Sequence, residues 1–173
     1  KYTNRHSASN DSLILVGTVM DLLPVSLTSI PRAHQQLNYR RDKKDFIQTL
    51  ASPVFQRLSY RAYFGGGTGC LEDRSYFEEE FPGLKICEGD LHSQILKCKL
   101  LVVDHPGTTL NLALAANIPM IGYWNSEDWP MCEQSLPYFL ALEKVGILFS
   151  DAEEAAKKVN QIWGDAQEWW NQP

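Results

Sequence analysis

The sequence predicts a Rossmann-like α/β fold, in which helices cover both faces of a mostly parallel sheet of about six strands. Short apolar runs alternate with segments of helical periodicity, which is typical of this three-layer α/β/α architecture. The runs are apolar throughout, as in strands that are buried on both faces. A chain of 173 residues is long enough for one domain with a substantial core. The predicted strands are residues 13–20, 58–64, 84–88, 100–104, 119–124 and 146–149.

Helices are predicted between these strands from apolar spacing and capping residues. Asp90 and Asp151 each precede a helical segment, where a carboxylate caps free backbone N–H groups. Asn117 follows another helical segment and is a candidate for its C-terminal cap. The predicted helices are residues 42–50, 72–81, 91–98, 110–117, 134–145, 152–163 and 165–171. The inward face of the fifth is predicted to carry Leu136, Phe139, Leu140 and Leu142.

The polar turn at residues 104–109 (DHPGTT) joins a predicted strand to a predicted helix. Parallel sheets bind ligands outside the carboxyl ends of their strands, and this turn is at such an end. It offers the Asp104 carboxylate, the His105 imidazole and the hydroxyls of Thr108 and Thr109, beside helix N–H groups that suit a phosphate. The alternative is that Thr108 or Thr109 only caps the helix and that His105 only bonds a neighbouring loop.

Arg61 is predicted near the end of a buried strand, where a guanidinium needs an anion from the protein or from a ligand. An ion pair with Glu72 or Asp73 is the alternative to a ligand phosphate. The glycine-rich loop at 65–69 follows this strand and is either a connector or a ligand-facing loop. It departs from the dinucleotide fingerprint, because Cys70 occupies the third glycine position, and it has no P-loop lysine.

Four motifs occur in an order that resembles the C-terminal half of GT-B glycosyltransferases. They are DHPGTT, NIP at 117–119, KVGILF at 144–149 and the Trp pair at 169–170. The sequence looks closest to a bacterial family of transferases linked to surface-carbohydrate biosynthesis, over about residues 39–170. The resemblance implies that the DHPGTT turn, the helix after it and a basic residue in the second strand, here Arg61, face a nucleotide-sugar donor.

Two polar residues follow the carboxyl end of the next strand, and we expect Asn125 and Glu127 to line the edge of the same cleft. Trp124 and Trp129 in this region either stack on a base or sugar or simply pack in the core. The candidate donor-binding residues are therefore Arg61, Asp104, His105, Gly107, Thr108, Thr109, Asn111, Asn125 and Glu127.

The helix after the turn departs from the GT-B pattern. Such enzymes usually carry an acidic residue one to two turns into this helix, for the ribose or sugar of the donor. Here Asn111, Leu112 and Ala113 occupy that region, and Asn111 is the nearest polar substitute.

Three functions are compatible with these residues. The leading hypothesis is transfer of a glycosyl or similar polyol group from a nucleotide donor to a surface polysaccharide precursor, with Arg61 and residues 107–109 holding the diphosphate. It requires no metal or other cofactor, and the catalytic base is expected from the other half of the GT-B fold, so no catalytic residue is assigned. The alternatives are a non-catalytic domain that binds a nucleotide or polyol phosphate, and a sugar-nucleotide epimerase with Asp104, His105 and Glu127 as acid/base groups.

Composition narrows the class of protein. The net charge of −5 argues against a surface that coats nucleic acid. The four cysteines lack metal-ligand spacing, which favours reduced thiols in a cytoplasmic protein. The sequence shows no apolar run of membrane-spanning length, and we expect no signal peptide before the fold. We expect a polar tail at 1–12 and one donor-binding domain at 13–173, excised from a longer protein whose N-terminal half is its partner.

Overall fold

A central sheet of six parallel strands organises the chain in a computed structural model, which describes residues 10–20, 33–63 and 70–172. The strands are β1 (Leu13–Val16), β2 (Leu58–Arg61), β3 (Lys85–Ile86), β4 (Leu100–Val103), β5 (Met120–Tyr123) and β6 (Leu148–Phe149). The predicted polar tail lies almost wholly outside the described residues, and the glycine-rich loop at 65–69 lies wholly outside them. Each predicted strand is present, and each is shorter than its apolar run.

The helices enclose the sheet on both faces, so the predicted three-layer fold is confirmed. They are α1 (Ala33–Thr49), α2 (Ser52–Phe55), α3 (Asp73–Glu80), α4 (Leu91–Ile95), α5 (Thr108–Ala115), α6 (Leu136–Lys144), α7 (Ala152–Ile162) and α8 (Ala166–Trp170). One layer of the core packs Leu13 and Leu15 of β1 against Phe46 of α1. The other packs Ile14 and Val16 against Leu110 of α5. The alternation follows from the two-residue period of a strand.

The strands lie in the order β3-β2-β1-β4-β5-β6. The chain therefore builds the sheet outward from β1 in one direction and then returns to add β4 on the other side. Val16, the last residue of β1, is in register with Arg61 and with Val103, the last residues of β2 and β4. These three strands end at the same level, and the crevice between β1 and β4 is the switch point at which such sheets bind ligands.

Several local predictions are confirmed. Asp90 accepts a hydrogen bond from Ser93 N at 2.9 Å, and Asp151 accepts one from Glu154 N at 2.8 Å. Each carboxylate therefore caps its helix. Asn117 follows α5 with a φ of 55°, the left-handed conformation that ends a helix.

Two helices differ from their predictions. Helix α1 begins at Ala33, nine residues before the predicted start at 42, because its buried face carries polar groups that apolar spacing does not reveal. In α6, Leu136 and Leu140 are exposed and only Phe139 and Leu142 pack on the core. The prediction of four inward residues in α6 was wrong: the helix lies at the margin of the sheet and contains no fully buried residue.

Candidate functional site

A pocket of about 420 Å³ lies at the carboxyl ends of β1, β2 and β4. It is at the switch point of the sheet, where the chain passes to opposite sides of β1. Five of the nine candidate donor-binding residues line it: Arg61, His105, Gly107, Thr108 and Thr109. The other lining residues come mainly from the segments that follow β1 and β2, and they are Val16, Gly17, Thr18, Ala62, Tyr63 and Leu91.

The turn after β4 supplies His105, Thr108 and Thr109 to the pocket lining, and Asp104 of this turn is buried outside that lining. Asp104 is 2 % exposed, and its Oδ1 atom lies 2.9 Å from Nδ1 of His105. Gly107 is the N-cap residue of α5, and Thr108 and Thr109 are the first two residues of the helix. Capping of α5 by Thr108 or Thr109, the alternative to a ligand role, is not what the structure contains, since neither threonine is the N-cap residue. Their hydroxyls and the first N–H groups of an eight-residue helix instead stand beside the pocket.

The close approach of Gly107 to His105 requires glycine. A Cβ atom at position 107 would overlap Nε2 of His105 and would lie 2.7 Å from its Cδ2. On another side, the ring of Trp129 lies with its centroid 5.8 Å from that of His105. The imidazole is thus held between α5 and the segment after β5, with its Nε2 edge next to Gly107 in the pocket wall.

Beneath the pocket is a buried polar cluster, which we define as Tyr39, Lys43, Tyr60, Asp73 and Asp104. The Lys43 side chain is fully buried, and its Nζ lies 3.1 Å from Asp73 Oδ2 and 3.3 Å from Asp104 Oδ2. It also donates a hydrogen bond to the Tyr60 hydroxyl at 2.8 Å. The Tyr39 hydroxyl donates to Asp104 Oδ2 at 2.7 Å. Buried charges persist when they are paired in this way.

The backbone of β1 fits closely against this cluster. A Cβ atom at Gly17 would lie 2.7 Å from the Tyr60 hydroxyl and 2.9 Å from Lys43 Nζ. Thr18 N donates to the Tyr39 hydroxyl at 2.9 Å. The segment that leaves β1 and lines the pocket is therefore fixed to the cluster.

The cluster keeps both charges ionised despite its burial. Burial raises the pKa of the Asp104 carboxyl, but Lys43, His105 and the Tyr39 hydroxyl together hold that pKa below its usual value. Burial lowers the pKa of Lys43, but the two tyrosines and the two carboxylates around it hold that pKa well above its usual value. We expect Asp104 to be an anion and Lys43 a cation at neutral pH.

Sequence reasoning missed the buried polar cluster. The segment RRDKK at 40–44 reads as a solvated helix start, because charged residues dominate it. A signal was nevertheless present: Lys43 follows Tyr39 by four residues and precedes Phe46 and Ile47 by three and four, so it shares their face. Continuing the helical phase backward from Phe46 would have placed Lys43 on the buried side.

Arg61 stands at the edge of the pocket, half-buried at the end of β2. Its Nη1 donates to the carbonyl oxygen of Cys87 at 3.0 Å, which directs the guanidinium along the ends of the strands. Arg61 also lines a neighbouring cavity of about 170 Å³ that includes Asp73 and Arg74. The Asp73 carboxylate, one of the two anions considered for Arg61, accepts hydrogen bonds from Arg40 at 2.7 Å and from Lys43.

Four of the nine candidate residues do not line the 420 Å³ pocket: the buried Asp104, and Asn111, Asn125 and Glu127. Asn111 is exposed on the second turn of α5. Asn125 lines a separate polar groove with Asp42 and Asp151, and its Oδ1 accepts a hydrogen bond from the backbone of Glu127. Glu127 is exposed, and this hydrogen bond makes the two residues a local turn outside the pocket.

The two tryptophans after β5 pack against protein groups. Trp124 is buried and meets Phe139 edge-on, with ring centroids 5.8 Å apart. Trp129 is half-buried against His105. Of the two alternatives for these tryptophans, the structure shows packing against other side chains.

The described segments, residues 10–20, 33–63 and 70–172, contain neither a metal-binding cluster nor a membrane-spanning helix. No group of three His, Cys, Asp or Glu side chains there could hold a metal ion. Nor is any helix in those segments both long and apolar enough to cross a bilayer.

The whole chain, residues 1–173, matches the sequence model of one protein family, described as LIC12162 family transferase. The protein belongs to this family. No curated protein matches the chain. The family description indicates a transferase.

Proposed function

We propose that this LIC12162 family domain binds a nucleotide-activated sugar in the pocket at the carboxyl ends of β1, β2 and β4. The observation that carries the proposal is the convergence of Arg61, His105 and residues 107–109 on one cavity, although they come from separate strands. Arginine and the N-terminus of a helix are the groups that proteins use most readily for phosphates.

The chemistry that these groups support is departure of a diphosphate. When the bond between the anomeric carbon and the phosphate oxygen breaks, its electron pair stays on the phosphate, and negative charge grows there. A guanidinium and backbone N–H groups already in place stabilise that charge without reorganising. The two threonine hydroxyls add neutral donors to the same oxygens.

The acceptor site and the catalytic base would come from outside this domain. The acceptor, a surface polysaccharide precursor, and the base that deprotonates it are assigned to an N-terminal half of a GT-B protein working in the cytoplasm. The donor-binding residues would then be those that line the pocket, Arg61, His105, Gly107, Thr108 and Thr109.

A thermal-shift screen tests donor binding. The chain is heated with nucleoside diphosphates and sugar nucleotides, and a ligand at a hundred times its Kd should add about 2.7 kcal/mol to stability. Arg61→Ala should remove that gain. Arg57→Ala is the matched control, since Arg57 is largely exposed and pairs only loosely with Asp11, at 3.5 Å. Absence of any shift in both this chain and the full-length protein would overturn the proposal.

A second candidate is a binding domain without catalysis. It is favoured by Asn111, which stands where GT-B enzymes usually carry an acid and which faces solvent. Donor binding without transfer in the full-length protein would support this candidate. The epimerase alternative is weakened, because Glu127 is not among the residues that line the pocket. Turnover of a sugar nucleotide without an acceptor would restore it.

A further inference from the structure

We propose that Lys43 is a positioning residue, which acts through Asp104 to keep the Nε2 lone pair of His105 available in the pocket for a sugar or polyol hydroxyl. The identity of the ligand rests on the proposed function above. The state of the imidazole does not, because it follows from contacts within the chain.

The first step is the division of the Asp104 carboxylate between its partners. Oδ2 is taken by Lys43 Nζ at 3.3 Å and by the Tyr39 hydroxyl at 2.7 Å. Oδ1 lies 2.9 Å from Nδ1 of His105. An ionised carboxylate only accepts hydrogen bonds, so Nδ1 must carry the proton. A neutral His105 then has an unprotonated Nε2.

The second step is where Nε2 lies. His105 is 9 % exposed, and its ring is confined between Trp129 and Gly107. The Nε2 edge is the one next to Gly107, and both residues line the main pocket. A ligand in this pocket therefore meets Nε2, while Nδ1 is buried against Asp104.

The third step is what such a nitrogen recognises. An unprotonated Nε2 accepts a hydrogen bond from a hydroxyl, whereas an ionised phosphate oxygen offers it no proton. A protonated imidazole would reverse this preference and would donate to phosphate. The charge on His105 thus decides whether it contacts the sugar or the phosphate part of a donor.

Lys43 affects the protonation of His105 because its ammonium group balances the negative charge of the Asp104 carboxylate. Without the ammonium group, the buried carboxylate would have His105 as its main remaining cationic partner and would hold a second proton on the imidazole. The titratable and charged groups that surround this pair come from four elements. They are Tyr39 and Lys43 of α1, Tyr60 and Arg61 of β2, Asp73 of α3 and Tyr123 of β5.

Long-range ¹H–¹⁵N spectra of the four histidine side chains test the positioning role without any ligand, and His105→Ala identifies the signal. We expect the Nδ1–H form at neutral pH. In Lys43→Met the His105 Nε2 signal at neutral pH should change from the unprotonated to the protonated type, and Tyr39→Phe should change it less. Lys44→Met is the control, since Lys44 pairs with Glu80 outside the cluster.

An Nε2–H form in the unaltered protein would overturn the proposal, as would an unchanged Nε2 signal in the two cluster variants. If Lys43→Met does not fold, Tyr39→Phe decides, because it removes one hydroxyl from the same carboxylate.

A binding experiment tests the hydroxyl. His105→Ala should weaken binding of a sugar nucleotide by about three- to tenfold, the value of one neutral hydrogen bond, and should leave the nucleoside diphosphate unchanged. An equal loss for both ligands would mean that His105 contacts phosphate, which overturns this part. If neither ligand binds, both the proposed function and the hydroxyl contact are overturned. The imidazole spectra need no ligand, so they still test the positioning role of Lys43.

Discussion

Lys43 Nζ lies 3.3 Å from Asp104 Oδ2, and this ion pair joins the middle of α1 to the turn that forms the pocket. The lysine side chain has no exposed surface and the aspartate side chain has 1 %. The pair therefore couples the position of α1 to that of His105, which directly follows Asp104 in the chain. The cluster is buried, and it lies next to the turn that lines the pocket.

Lys43→Met should destabilise the protein by about 3–5 kcal/mol, because it leaves Asp104 as a buried charge that has lost its ammonium partner. Urea unfolding measures the difference. Lys44→Met removes a neighbouring lysine whose partly exposed pair with Glu80 is worth about 0–1 kcal/mol. Equal losses in the two variants would contradict the importance of burial.

The pH dependence of the free energy of unfolding should reveal the ionisation of both Asp104 and Lys43. The pKa of Asp104 is lowered in the folded protein, so its contribution is complete above the unfolded carboxyl pKa of about 3.9 and disappears as pH falls through the folded value. The pKa of Lys43 is raised, so its contribution is complete below about pH 10.4 and disappears as pH rises through the folded value. Unfolding free energies measured from pH 2 to 12 should therefore fall at both ends.

The same series on Lys43→Met provides the check on the acidic side. Without the lysine, Asp104 loses the charged partner that lowers its pKa most, so that pKa should rise and the acidic decline should begin at a higher pH. An identical acidic limb in both proteins would show that other carboxylates control it.

Gly107→Ala should displace the His105 ring, because the new methyl group overlaps Nε2. We expect ligand affinity in the pocket to fall at least about tenfold, since a shift near 1 Å misplaces a binding group. Calorimetric titration with the nucleotide found by the thermal-shift screen measures it. Gly164→Ala is the control: a Cβ there meets no atom within 4 Å among the described residues, and affinity should stay constant.

Replacing Thr108 and Thr109 together by Val should lower donor affinity while changing the free energy of unfolding by less than a lost cap, about 1 kcal/mol. The reason is that Gly107, and neither threonine, is the N-cap of α5. Isothermal titration and urea unfolding separate the two effects. Thr49→Val, at the end of α1, should change neither. Unaltered affinity in the double variant would remove the hydroxyls from the site.

Much of this architecture could be predicted because it depends on residues that are close together in the sequence. Apolar runs set the six strands, and Asp90 and Asp151 set helix starts, since a cap acts on backbone groups only three residues away. The DHPGTT turn was recognisable for the same reason: a strand, a polar turn and a helix are contiguous in the chain. Membership in a transferase family also follows from the sequence itself.

The sequence by itself thus determined the fold class and which turn forms the pocket. Tertiary structure decided that Arg61 joins that turn, that Asn111, Asn125 and Glu127 stay outside the pocket, and that Lys43 is buried. The partners Lys43 and Asp73 are 30 residues apart, and Tyr39 and Asp104 are 65 apart. Only the strand order brings such residues together, and a charge is tolerated in the core only when its counter-charge arrives with it.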